Sequence, residues 1–161
     1  MDSTFVRTLT IIGAVGSGLL AGVFFAFSTF VMSGLRKAPP QAGIAAMQSI
    51  NRLAITPAFM TAFVGTGIAC VGLAVWAVVS SDEPGAAWVI AGSALYVIGT
   101  FVLTMVANVP RNDALETLDP ASADAAGQWK SYVAEWTAWN HVRGAAALAA
   151  AATLIVALTR A

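Results

Sequence analysis

Charged residues are scarce in this sequence, and their scarcity excludes several classes of protein. Only 10% of the 161 residues are charged, against roughly a quarter in an ordinary soluble domain. Eight basic residues balance eight acidic ones, so the chain has neither the basic surface of a nucleic-acid-binding protein nor an acidic tail. Hydrophobic residues make up 58% of the chain and the mean hydropathy is +0.79, which indicates that lipid surrounds much of the fold.

Residues that bind metals are also rare. The sequence has one cysteine, Cys70, and one histidine, His141. A single cysteine excludes an intramolecular disulfide, and stable zinc, iron–sulfur or haem sites need sets of such ligands. The sequence also lacks a phosphate-binding glycine loop, a GxSxG elbow and an HExxH motif. No charge lies in the middle of an apolar run, which argues against a proton-driven transporter or an ion channel.

Four charge-free stretches define the organisation of the chain. Because a membrane-spanning helix needs about 20 apolar residues, these stretches predict spans at about residues 8–32, 56–80, 85–108 and 137–159. The link over residues 80–85 is a tight turn, whereas the other two connections are long and polar. We therefore expect a single domain over residues 1–161. Its fold class would be all-α, an integral membrane antiparallel four-helix bundle with two long polar connections on one face.

The positions of Lys and Arg predict the orientation of this multi-pass protein. Six lie in or beside the two long connections and two lie at the opposite end. Because cytoplasmic loops carry an excess of Lys and Arg, we expect the long connections in the cytoplasm and both termini outside. The six are Arg36, Lys37, Arg52, Arg111, Lys130 and Arg143, and the two are Arg7 and Arg160.

Two groups of polar residues lie where the spans meet these connections. Asn108 and Asn112 flank Pro110, which we expect to end the third helix. Three further polar residues share one face of a short helix in the first connection, and they are Gln48, Asn51 and Arg52. Polar groups without hydrogen-bond partners cost free energy at membrane depth, so their presence there suggests a functional site. The asparagines are equally typical of helix caps, so both interpretations stay open.

A stripe of aromatic residues leads into the fourth span. Steps of three and four residues place its members on one helical face. They are Trp129, Tyr132, Trp136, Trp139 and Arg143, with Asn140 beside them. Tryptophan and tyrosine at this level are also typical of an interfacial belt. His141 has the one side chain whose unperturbed pKa suits proton transfer near neutrality, and it is expected inside the same pocket.

Four segments of the chain resemble the anthrone-oxygenase-like family of small four-helix membrane proteins. They are Phe27–Met32, Met47–Asn51, Asn108–Asn112 and Trp136–Arg143, and the resemblance extends over nearly the whole length. It implies oxidation of an anthrone-like or other polycyclic phenolic substrate with dioxygen, as in aromatic polyketide pathways, and no cofactor. Position by position, it points to Gln48, Asn51, Asn108, Pro110, Asn112, Trp136, Trp139, Asn140, His141 and Arg143.

The chemistry that such a site would need suggests roles for most of these side chains and for Tyr132. In this hypothesis His141 removes a proton from the substrate, and Arg143 stabilises the enolate oxygen together with Asn108 or Asn140. The rings of Tyr132, Trp136 and Trp139 stack on the flat substrate, and the substrate-binding set is completed by Gln48, Asn51 and Asn112. No metal is predicted, and dioxygen is the co-substrate. A metal at His141 is an alternative that needs histidines pooled from several subunits.

A non-catalytic membrane subunit is the alternative from another class. The same stripe would then bind a lipid, a quinone or a partner helix, and nothing would be oxidised. The expected partners are the lipid bilayer and a flat aromatic or lipid-like small molecule, with no nucleic acid. A homo-oligomer and association with a larger membrane complex both stay open.

Overall fold

Five helices form the fold in the computed structural model, which describes residues 4–160. They are α1 (Thr4–Lys37), α2 (Pro40–Leu53), α3 (Pro57–Val79), α4 (Ala86–Glu116) and α5 (Ala125–Thr159). All but α2 are long and apolar enough to cross a membrane. No strand occurs in this part of the chain. The structure confirms the prediction of an all-α membrane bundle with four spans.

The four long helices pack in a ring. Helix α1 contacts α3 and α5, and α4 contacts the same two helices from the other side. Buried apolar side chains such as Leu20, Leu73 and Leu154 fill the centre. The Tyr96 hydroxyl donates a hydrogen bond to the Phe63 carbonyl oxygen at 2.8 Å and so ties α4 to α3. Large apolar side chains also cover the outside of the bundle, as expected for helices in lipid.

Two glycines allow the closest contacts between helices. A Cβ atom on Gly16 of α1 would overlap with the hydroxyl of Thr66 on α3, and one on Gly99 of α4 would lie 2.7 Å from the Cβ of Ala146 on α5. Small residues allow membrane helices to gain van der Waals contact where no hydrophobic effect drives them together. These two glycines therefore set the spacing of the helices around the core.

Helices α4 and α5 extend beyond the predicted spans, toward each other. Helix α4 continues to Glu116 and α5 begins at Ala125, so only residues 117–124 connect them. The predicted spans ended at the first charges, but a helix can continue past the apolar layer when its outer turns meet water. Most of the second polar connection is therefore helical.

Pro110 does not end α4, contrary to the prediction. Two π-helical stretches, Val97–Val102 and Thr104–Asn108, precede it. These wider turns replace the usual i→i−4 hydrogen-bond pattern just before the proline. The missing N–H of Pro110 therefore costs the helix less than it would inside an uninterrupted α-helix.

A second core lies at the end of the bundle where α2 packs. Met47 of α2, Leu115 of α4 and Trp129 of α5 are buried together there. The Gln48 side-chain amide donates to the carbonyl oxygens of Leu115 and Leu118, both at 2.9 Å, and so satisfies acceptors at the end of α4. Helix α2 is thereby fixed across the ends of α4 and α5.

Candidate functional site

A cavity of about 780 Å³ lies between α2 and the long helices. This volume falls within the roughly 300–1,000 Å³ typical of small-molecule sites. Much of its wall is apolar and includes Phe24, Phe27, Phe59 and Phe63. Its polar and charged lining residues are Asn51, Arg52, Thr56, Thr104, Asn112, Asp113, Glu116 and Arg143.

Arg143 is the buried cation of this cavity, with only 7% of its surface exposed. Its Nε donates to Oδ1 of Asn140 at 2.8 Å, and its Nη1 donates to Oγ1 of Thr104 at 3.3 Å. The guanidinium carbon lies 4.1 Å from the centre of the Phe24 ring and 5.1 Å from that of Trp136. Neither ion pair among the described residues involves Arg143. The aromatic faces therefore stabilise a positive charge that no carboxylate of the described chain pairs with.

Asn140 holds this guanidinium in place from inside the bundle. Its Nδ2 donates to the Phe24 carbonyl oxygen at 2.7 Å and to Oγ of Ser28 at 2.6 Å. Those two bonds fix the amide so that its oxygen faces Arg143. Thr100 adds a further link, since its hydroxyl donates to the Arg143 carbonyl oxygen at 3.2 Å. Asn140 is thus a positioning residue that joins α1 to the arginine of α5.

Asn112 organises the aromatic part of the site. Its Oδ1 accepts hydrogen bonds from the Tyr132 hydroxyl at 3.0 Å and from Nε1 of Trp136 at 2.8 Å. Asn51 lies beside the Tyr132 hydroxyl. The rings of Trp129, Tyr132 and Trp136 stack along α5 with centroid separations of 5.6 and 6.4 Å. Asn51, Asn112 and Trp136 line the cavity, as predicted for a shared pocket.

Two predicted residues support the site without lining the cavity. Asn108 is fully buried, and its Nδ2 donates to the Trp136 carbonyl oxygen at 3.3 Å. Its Oδ1 has no hydrogen-bond partner among the described residues. Gln48 uses its amide to hold the end of α4, as described above, and is absent from the cavity wall. The structure therefore places Gln48 outside this cavity.

His141 and Trp139 lie outside the cavity, contrary to the prediction that both face it. His141 is exposed and lines a separate pocket between α1 and α5, while Trp139 is 38% exposed. The buried face of α5 runs from Trp136 through Asn140 to Arg143. Since successive helical residues are rotated by about 100°, the residues on either side of Asn140 point away from this face.

Sequence reasoning missed several residues of the cavity. Phe24 and Thr104 contact the Arg143 guanidinium, and Asp113 contributes a carboxylate to the wall. A signal for Thr104 existed, because it stands four residues after Thr100 and four before Asn108 on one helical face. Phe24 lies in an apolar run, where nothing distinguishes it from its neighbours. Among residues 4–160, no three His, Cys, Asp or Glu side chains are placed to hold a metal ion.

The fold and the cavity together define a small four-span membrane protein with a largely apolar cavity among its helices. The chain belongs to the anthrone oxygenase family, whose model matches residues 58–153. This range contains nearly all of α3, all of α4 and most of α5, and with them Asn112, Asn140 and Arg143. The match of the family model confirms the family that the sequence resembles. No curated protein and no solved structure matches the chain.

Proposed function

We propose that this protein is a membrane-embedded oxygenase that oxidises an anthrone-like or other polycyclic phenolic substrate with dioxygen. One observation carries the proposal: a buried arginine, with no acidic partner among residues 4–160, lies at the wall of a largely apolar cavity. Such a cation favours an anionic oxygen on an otherwise apolar ligand, because the attraction between opposite charges is stronger where water is excluded. Family membership supports the same reaction class.

The free donor capacity of Arg143 supports binding of this oxygen. Nε and Nη1 are engaged with Asn140 and Thr104, whereas Nη2 makes no hydrogen bond to any residue of the described chain. A phenolate or enolate oxygen would take up this remaining capacity. The rings of Phe24, Phe27 and Trp136 line the same cavity and offer flat surfaces for a polycyclic substrate.

The proposed reaction converts a ring methylene into a carbonyl. Loss of one methylene proton gives an enolate, whose negative oxygen lies against Arg143. The enolate passes one electron to dioxygen, and the resulting radical and superoxide combine into a carbon–oxygen bond. The peroxide takes up a proton, then loses the second methylene hydrogen as its O–O bond breaks. The products are a quinone and one water, so each dioxygen accepts four electrons from one carbon. The enolate reduces dioxygen directly, so the proposal includes no cofactor.

Asp113 is the proposed acceptor of the first proton. The cavity wall contains two carboxylates, Asp113 and Glu116, and Glu116 pairs with Arg52 at 2.5 Å. Asp113 has no ion pair among residues 4–160. His141 does not line the cavity. Asp113 therefore replaces His141 as the proposed base.

Oxygen consumption by the purified full-length protein with 1,8-dihydroxyanthrone tests the proposal. We expect uptake of one dioxygen per quinone formed, above the spontaneous rate measured with empty detergent micelles. Arg143→Gln should reduce this enzymatic rate by about 100-fold, the scale of losing an oxyanion-stabilising donor, and Asp113→Asn should also reduce it. Arg111→Gln is the matched control, since Arg111 pairs with Glu135 outside the cavity, and it should retain the rate.

Two results would contradict the proposal. Equal rates in the wild type and Arg143→Gln would show that the arginine does not take part in the reaction. Saturable binding of the anthrone or of a quinone without any oxygen uptake would instead support the non-catalytic membrane subunit.

A further inference from the structure

A second pocket, of about 360 Å³, lies between α1 and α5. It shares no lining residue with the cavity. Its polar lining consists of Ser28 and Ser33 of α1, Arg36 near the end of the same helix, and Thr137 and His141 of α5. The proposed oxidation involves Ser28 only as an acceptor for Asn140 and gives no role to the other four side chains.

The polar groups of this pocket are mostly donors. Arg36 carries a fixed positive charge, and the His141 ring offers an N–H in either protonation state. The Thr137 hydroxyl is buried and has no hydrogen-bond partner among the described residues. Ser28 accepts a hydrogen bond from Asn140, which leaves its own proton available to donate. The pocket is therefore lined by four side chains that can donate hydrogen bonds, a guanidinium, an imidazole and two hydroxyls.

Within residues 4–160, no acidic side chain lines the pocket beside these donors. Asp and Glu are absent from the pocket wall, and neither ion pair of the described chain involves Arg36. An anion is therefore the ligand that the charge of the pocket favours. A group with several acceptor oxygens, such as a phosphate, would match the number of donors.

The pocket lies at the level of one membrane surface. The charge-free part of α1 begins at Thr8, and Ser28 follows about 20 residues and about 30 Å later, which is the thickness of the hydrocarbon layer. Arg36 lies two turns farther along the helix. His141 is separated from the charged end of α5 at Arg160 by a similar length of helix. Lipid phosphates lie at this depth.

We infer that the pocket between α1 and α5 binds a phosphate group, held by Arg36, His141 and Thr137. The phosphate of an anionic lipid headgroup and free inorganic phosphate share this chemistry, and the position of the pocket favours the lipid. A bound lipid would fill the groove between α1 and α5 from outside. The inference does not depend on the proposed oxidation.

Native mass spectrometry of the full-length protein in detergent tests this inference. The probes are dioctanoylphosphatidylglycerol, dioctanoylphosphatidylcholine and inorganic phosphate. We expect one phosphatidylglycerol to bind saturably and at least tenfold more tightly than phosphatidylcholine. If millimolar inorganic phosphate displaces it, the free ion is also a ligand, and if phosphate has no effect the site requires the lipid. Equal binding of the two lipids, or binding that does not saturate, would overturn the inference.

Matched variants locate the binding site. Arg36→Gln should weaken binding of phosphatidylglycerol about tenfold, since a charge-assisted contact is lost. Lys37→Gln removes the same charge from the next residue, which does not line the pocket, and should change the affinity less than twofold. Thr137→Val keeps the shape of the side chain and removes the unpartnered hydroxyl, so it should also weaken binding. Equal losses in Arg36→Gln and Lys37→Gln would show general surface attraction and refute the pocket.

Discussion

Oδ1 of Asn140 accepts a hydrogen bond of 2.8 Å from Nε of Arg143, one helical turn farther along α5. The same asparagine donates through Nδ2 to α1, so one amide connects the neighbouring helix to the buried charge. Both residues have less than a tenth of their surface exposed. The direction of the guanidinium is therefore set by the packing of α1 on α5 rather than by an acidic partner.

Replacement of Asn140 should affect both stability and activity. Asn140→Ala removes the acceptor of Arg143 and leaves the Phe24 carbonyl and the Ser28 hydroxyl without their donor. Each buried group left unsatisfied costs about 1–3 kcal/mol. We expect a lower thermal unfolding temperature in detergent, together with slower oxidation of the anthrone at saturating substrate.

Ser28→Ala provides the matched control for Asn140. It removes one of the two α1 acceptors of the amide and leaves the bond to Arg143 intact. The unfolding temperature should therefore fall less, and the rate at saturating substrate should stay near that of the wild type. Equal effects of Ser28→Ala and Asn140→Ala on that rate would contradict the positioning role.

A different pair of substitutions tests the acceptor function of Asn112. Asn112→Ala leaves the Tyr132 hydroxyl and Nε1 of Trp136 without their common acceptor, and we expect a clear loss of thermal stability. Asn112→Asp keeps an oxygen at this position and should retain most of that stability. Differential scanning fluorimetry of the two variants side by side measures this difference. If the aspartate variant unfolds as early as the alanine variant, the shared acceptor is not what stabilises the two rings.

The contact between α1 and α3 predicts a sharp difference between two glycines of one helix. Gly16→Ala would place a methyl group against the hydroxyl of Thr66, whereas a Cβ on Gly22 would meet no other helix of residues 4–160 within 4 Å. Overpacking of this kind typically costs about 1–3 kcal/mol. We therefore expect a lower unfolding temperature for Gly16→Ala and an unchanged or higher one for Gly22→Ala. The same loss in both variants would refute the close helix contact.

The orientation in the membrane is open to a labelling experiment. Arg143 is buried beside the cavity, so five Lys and Arg residues stay at one end against two at the other, and we still expect that end in the cytoplasm. Cysteines introduced at Ala121 and Asp82 lie in exposed connections at the two ends, and the natural Cys70 is buried. A membrane-impermeant maleimide added to intact cells should label Asp82→Cys and spare Ala121→Cys. The reverse labelling pattern would show that the protein has the opposite orientation in the membrane.

The sequence predicted the helical bundle well because charge is the strongest signal of where a helix must leave lipid. The same signal misplaced the helix ends, since α4 continues to Glu116 through charged residues. The prediction that Pro110 ends the third helix was also wrong, since two π-helical stretches precede the proline and the helix continues through it. The apolar and polar pattern of the sequence carries no signal for such turns.

The sequence predicted only part of the candidate site, and the reason is geometric. Arg143, Trp136, Asn112 and Asn51 meet at the cavity as their spacing suggested. A helical repeat of 3.6 residues allows the stripe to continue from Trp136 through either Trp139 or Asn140. Only the neighbouring helix decides between them, and α1 binds Asn140 through the Phe24 carbonyl. Because α1 contacts Asn140, the next residue, His141, points outward.

A structure of the full-length protein with 1,8-dihydroxyanthraquinone bound is the most direct test of the proposed function. We expect the ligand in the cavity, with one of its carbonyl or hydroxyl oxygens about 2.7–3.2 Å from a guanidinium nitrogen of Arg143 and its rings against Trp136. A ligand bound against His141 between α1 and α5, with the cavity beside Arg143 empty, would contradict the account.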